Sequence, residues 1–188
     1  MKRCIVTLSA CLAFGISAFP QAAKKEPESL KTKMDQFSSR TGIITKFTDV
    51  KLPTLKTKYS AAETRIRKVS SGTRSNTGFF YQIEKKGQYS NATASIEYTD
   101  LLEVIKAIQS LKTDVAADIP GNPDYLENKF VTVDGFEVGY FVSGGKATWY
   151  LKLEKYGSDN TLFIENADLM DTAFTDAKNK IDELKERT

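Results

Sequence analysis

The sequence predicts an α+β fold: tandem units, each an antiparallel β-sheet followed by a helix, packed into one core behind an N-terminal signal peptide. Three observations carry this prediction. Apolar residues alternate with polar ones in short runs separated by Gly, Asn, Asp and Ser, the pattern of half-buried antiparallel strands. Two longer segments carry apolar residues at helical spacing, one in mid-chain and one at the C-terminal end. The two halves also resemble each other. The segment from Phe79 to Gly87 matches Trp149 to Gly157, and Ile96 to Glu103 matches Ile164 to Asp171 after a two-residue deletion in the turn.

Taken in order, Met1-Lys2-Arg3 is a short basic start, and Cys4 to Phe19 contains no charge before the abrupt change at Lys24-Lys25-Glu26. That order is the pattern of a secretory leader over 1–23, whose cleavage point the small residues around Pro20 to Ala23 do not fix. The uncharged run is shorter than the about 20 apolar residues that a spanning helix needs. Leu8-Ser9-Ala10-Cys11 also resembles a bacterial lipobox, which makes Cys11 a candidate lipidation site. The expected location is therefore the periplasm or the exterior, with a lipid-anchored form as the alternative.

Residues 24–41 read as a linker and a short helix, with Leu30, Met34 and Phe37 on one face of a helix over 28–38. The first β-rich unit then occupies 42–118. Its expected strands are 43–50, 62–69, 79–84 and 93–98, joined by the polar loop 70–78 and a turn at Gly87. Its helix is expected to start at an Asp100 N-cap and to bury Leu101, Leu102, Ile105, Ile108 and Leu111. The stretch 116–128, with Pro120, Gly121 and Pro123, is the natural boundary. The second unit, 119–188, has strands from Lys129, a hairpin at Asp134-Gly135, a turn at Gly144-Gly145, strands over 148–155 and 161–165, and a helix over 169–185 capped by Asp168. Phe79, Tyr81 and Ile83, and likewise Trp149, Leu151 and Leu153, should face the helices, so that the two sheets bury their apolar sides in one core.

Composition restricts the chemistry. The chain has no His, and both its Cys residues fall in the leader, so His- and Cys-based nucleophilic catalysis and His or Cys zinc sites are excluded after residue 23. No metal ligand set and no cofactor motif is found. Setting aside Lys2 and Arg3 leaves the remainder within one charge of neutral, and no concentrated basic face points to nucleic acid. Contact with a membrane is expected only through a lipid on Cys11.

The role that fits best is a non-catalytic extracytoplasmic binding or protein-interaction module for a protein, a glycan or a small apolar ligand. Its candidate binding residues are Phe80, Tyr89, Tyr140 and Tyr150, on an aromatic sheet face or in the groove between the units. The simpler expectation for such aromatics is that helix 28–38 or the sister sheet covers them. One alternative is a hydrolase using the equivalent glutamates Glu84 and Glu154, or Glu97 and Glu165, as paired acids. The other is a structural envelope component or an inhibitor of an extracellular enzyme, working through loops 70–78 and 119–128.

Overall fold

A computed structural model describes residues 32–187, apart from 40, 73–75, 89 and 158. The leader with Cys11, the start of the linker and Tyr89 lie outside the described residues. Strands β1 (Thr45–Lys56), β2 (Ala61–Ser71), β3 (Thr77–Lys85) and β4 (Ala92–Glu97) form an antiparallel meander that runs directly into helix α2 (Tyr98–Asp118). Strands β5 (Leu126–Val131), β6 (Glu137–Ser143), β7 (Lys146–Lys152) and β8 (Thr161–Ile164) repeat this order and lead into helix α3 (Ala167–Glu186). A short helix α1 (Lys33–Ser38) precedes the first sheet. Among the described residues, no helix is long and apolar enough to cross a membrane.

Period-two alternation decides which side of each sheet is buried. Phe79, Tyr81, Ile83, Ala94 and Ile96 of the first sheet join one core with Val138, Tyr140, Trp149, Leu151, Leu162 and Ile164 of the second, together with Leu153. Both helices press into this core, α2 with Leu101, Val104, Ile108 and Leu111, and α3 with Met170, Phe174, Ala177 and Ile181. They lie side by side. α2 packs on β3 and β4 of its own half and on β5 and β6 of the other, while α3 packs on β8 and on β1 and β2. The result is two layers, with α2 and α3 on the inner side of both sheets and α1 against the outer face of the first.

Several boundaries differ from the sequence expectation for identifiable reasons. β1 continues to Lys56, past Pro53 and beyond the segment 43–50 expected from the sequence. β1 pairs only with β2, so the missing N–H of Pro53 breaks no second ladder, and the register shifts between Leu52 and Leu55. The Thr64 hydroxyl secures this irregularity by donating to the Pro53 carbonyl at 2.7 Å. The helix caps are Glu97 and Asn166 rather than Asp100 and Asp168. β4 runs into α2 without a loop and β8 reaches α3 through Glu165 and Asn166, and in each case the residue before the helix accepts from its first turn: Glu97 from the Thr99 N–H and Asn166 from the Leu169 N–H. Asp100 and Asp168 sit inside the first turn and pair with Lys33 (2.6 Å) and Lys112 (2.8 Å). Val104 lies on the buried stripe of α2, and Leu102 and Ile105 are only half-buried.

The two halves also differ in register. Ile96 pairs with Tyr81, but its sequence counterpart Ile164 pairs with Trp149, two residues short of Leu151. A shift of two keeps every side chain on its face.

Candidate functional site

The polar backbone at the junction of the halves is satisfied by exchange between them. The Lys58 N–H, at the tip of the β1–β2 hairpin, donates to the Phe163 carbonyl on β8 at 2.7 Å. Glu154, just after β7, accepts the Thr93 N–H of β4 at 2.8 Å, and Lys85 of β3 donates to the Thr161 carbonyl of β8 at 3.2 Å. These contacts close the two edges at which unpaired backbone would otherwise invite another strand. They also leave a groove of about 410 Å³ between Thr57, Tyr59, Ser60 and Lys85 on one side and Asp159, Thr161, Leu162 and Phe163 on the other.

A second cavity of about 340 Å³ opens on the outer face of the second sheet and shares Thr161 and Phe163 with the groove. Its floor is Tyr150. Gly139 is the residue of β6 opposite Tyr150, and the Tyr150 hydroxyl reaches across β6 to donate to Glu127 on β5. The side chain therefore lies along the sheet over Gly139, which explains why it is only 6% exposed on an outward face. A side chain at Gly139 would meet the Asn128 carbonyl oxygen at 2.4 Å and Lys129 Cβ at 2.7 Å, so glycine also lets β5 and β6 approach. Burial, and then the hydrogen bond to the Glu127 carboxylate, push the Tyr150 phenol well above its ordinary pKa, so it acts here as a fixed donor.

Around Tyr150 the outward aromatics form a row across the strands. Phe163 is its direct partner on β8, and Tyr59 meets the Phe163 ring edge-on at 6.3 Å. On the other side, Phe141 lies 6.5 Å from the Tyr150 ring, and Tyr125 stacks on Phe141 at 6.2 Å. The outermost rings, Tyr59 and Tyr125, are 76% and 62% exposed.

Charges beside the row are paired. Glu137 accepts from Lys129 at 2.9 Å and from Lys152 at 3.3 Å. Burial opposes ionisation of Glu137, but the two ammonium groups outweigh it and hold its carboxyl below the usual range. Lys85 is paired with Asp159 at 2.5 Å.

The aromatics singled out from sequence are placed differently from an exposed patch. Phe80 is fully buried on the outer face of the first sheet, where Phe37 of α1 meets it edge-on at 5.7 Å. Tyr140 belongs to the inner face with Val138 and Val142, and its hydroxyl donates to Asp118 at 2.6 Å. Desolvation and the Asp118 carboxylate push its pKa up to about 12. Tyr150 is buried but forms the cavity floor. These three rings therefore do not make a common exposed surface. The exposed rings of the row are Tyr59 and Tyr125, with Phe141 and Phe163 half-buried beside them. Of these, Phe141 is one of several aromatics in the early strands of the second unit and carries no distinct sequence signal. Tyr59 and Tyr125 had a readable signal, an aromatic in a polar turn. Phe163 was hidden in the apolar run Leu162-Phe163-Ile164.

Three of the four glutamates considered as paired acids have structural partners, and the fourth, Glu165, is exposed. Glu84 accepts from Arg65 and Asn91, Glu154 accepts the Thr93 N–H, and Glu97 caps α2. Among the described residues, no group of three or more acidic, His or Cys side chains could hold a metal ion. Comparison of the chain with protein-family models, with curated proteins and with solved structures yields no match, so the site is read from its own geometry.

Proposed function

We propose that the chain is a non-catalytic, extracytoplasmic binding module whose recognition surface is the outer face of the second sheet together with the groove between the halves. The observation that carries this reading is the row of aromatic rings from Tyr59 to Tyr125, its inner rings on strands and its end rings in adjoining turns, outside the core and flanked by two open cavities. Apolar rings on a face that no core residue covers are expensive to leave in water, and grouped aromatics mark contact sites. Strands hold the inner rings in place before any ligand arrives, which lowers the entropy lost on binding. The basic start and uncharged run at the N-terminus support an extracytoplasmic setting.

A photo-crosslinking residue introduced at Tyr59 or at Tyr125, in cells producing the full chain, tests the reading. Adducts are expected from both positions and not from Lys106, an exposed residue of α2 on the helical side. Equal adduct yields at all three positions would show that the aromatic face has no special role.

A further inference from the structure

We infer that the ligand of this face is a neutral glycan chain, an inference that rests on the binding-module reading above. The first argument is charge. Lys85, Lys129 and Lys152 on the strip are matched by Asp159, Glu127 and Glu137, and each is already engaged: Lys85 with Asp159, Glu137 with both other lysines, and Glu127 with Tyr150 and, at 3.8 Å, with Lys129. At these three lysines an anionic ligand would have to displace a carboxylate, and at their partners a cationic one an ammonium. Either exchange gives up a bond for each one made. A neutral ligand that brings hydroxyls can add to the remaining lone pairs and N–H groups without breaking any pair.

The second argument is shape. The row is a strip one ring wide that runs across the strands from Tyr125, just before β5, to Tyr59 in the β1–β2 hairpin. A protein that covered it would have to strip water from the Glu137 ion-pair cluster, which is costly when charges are buried. A narrow chain lying along the aromatic row covers the rings and leaves the lysine heads in water.

The third argument is chemical. The surface alternates ring faces and edges with fixed polar atoms, namely the Thr57 and Ser60 hydroxyls at the groove and the carboxylates of Glu127 and Glu137. Sugar rings present the same alternation, apolar C–H faces rimmed by hydroxyls. The exposed rings at the two ends, Tyr59 and Tyr125, are then the outermost stacking platforms, and the row sets the direction of the chain.

The test is affinity electrophoresis and titration calorimetry of the full-length protein against soluble neutral polysaccharides (an α-glucan, β-1,3- and β-1,4-glucans, a xylan and a glycol chitin), with heparin and alginate as anionic comparisons. The expected result is saturable binding to at least one neutral polymer, unchanged between about 50 and 500 mM salt because no counterions are released. Its affinity should fall about tenfold or more in each of Tyr59→Ala and Tyr125→Ala, whose exposed positions leave melting temperatures unaltered. Absence of binding to every neutral polymer overturns the glycan assignment, as does binding only to the anionic ones with loss at high salt, or equal affinity in both variants. Crosslinks from Tyr59 and Tyr125 to a protein, without glycan binding, would sink the glycan while leaving the binding module standing. Loss of both results would remove the two readings together.

Discussion

Glu137 shows how a single outward residue can be both buried and charged. Strand parity places it on the outer face, where a sequence reading expects a solvated glutamate, yet the stems of Lys129 and Lys152 close over it and leave its side chain 12% exposed. Its carboxyl titrates below the ordinary value of about 4.3 for an unfolded chain. A group whose pKa is depressed by folding stabilises the fold above its unfolded pKa, and that contribution disappears as the pH falls through the folded value. Comparison of denaturant midpoints for the native protein and Glu137→Gln should therefore show the widest gap above about pH 5 and a narrowing gap below about pH 4. A gap that grows on acidification would mean that the two lysines do not hold the ionised form. The parity of Glu137 was readable from the alternation along β6. Its closure was not, because the lysines that enclose it come from β5 and β7, and register between strands leaves no mark in the local pattern.

Helix α1 is an element that exists only by virtue of what it covers. Six residues are far too few to hold a helix in water. A capping box between Thr32 and Asp35 supplies local support, and Lys33 ties the first turn to Asp100. The main anchor is Phe37, whose ring meets Phe80 and lies where a Cβ on Gly78 would intrude, at 2.9 Å. Leu30, Met34 and Phe37 made a helix legible in the sequence, as did the prospect that it would cover an outward aromatic. What the pattern could not say was which of Phe80, Tyr140 and Tyr150 it would cover. Replacing Phe37 by Ala should release α1 while the sheets persist. Amide exchange across 33–39 should accelerate by a factor of ten or more, whereas the global unfolding free energy should fall by less than about 2 kcal/mol, since the ring is only half-buried. A loss of protection throughout β1–β4 would instead make α1 an integral part of the first sheet.

At the scale of the whole molecule, the sequence told which side chains are inside but not which ones they meet. Periodicity marked most of the buried stripe of α2 and the inward rows of both sheets, with Leu101, Ile108, Leu111, Phe79, Tyr81, Ile83, Trp149, Leu151 and Leu153 inside as alternation placed them, while Val104 was missed. Nothing in a stripe reveals that α3 crosses to β1 and β2 or that α2 reaches β5 and β6, because periodicity is local and packing partners are not. Phe174 is where this crossing is concentrated. From α3 it meets Tyr81 of the first sheet edge-on at 5.2 Å and Phe136, beside the hairpin of the second sheet, at 5.9 Å, and it is fully buried. One ring thus touches both halves. If each half were stable by itself, truncating this ring would loosen the interface and split unfolding into two steps. With one continuous core and helices exchanged between the sheets, neither half keeps its apolar face covered without the other. Phe174→Ala should therefore cost about 3–5 kcal/mol, as large-to-small changes of buried aromatics do, and thermal unfolding should remain a single transition at a lower temperature. Exchange protection should fall equally in β3 and β6, strands from different halves. Protection lost in β6 but retained in β3, or a second calorimetric peak, would show two independent cooperative units, and the groove between them would then be a hinge rather than a fixed wall of the binding face.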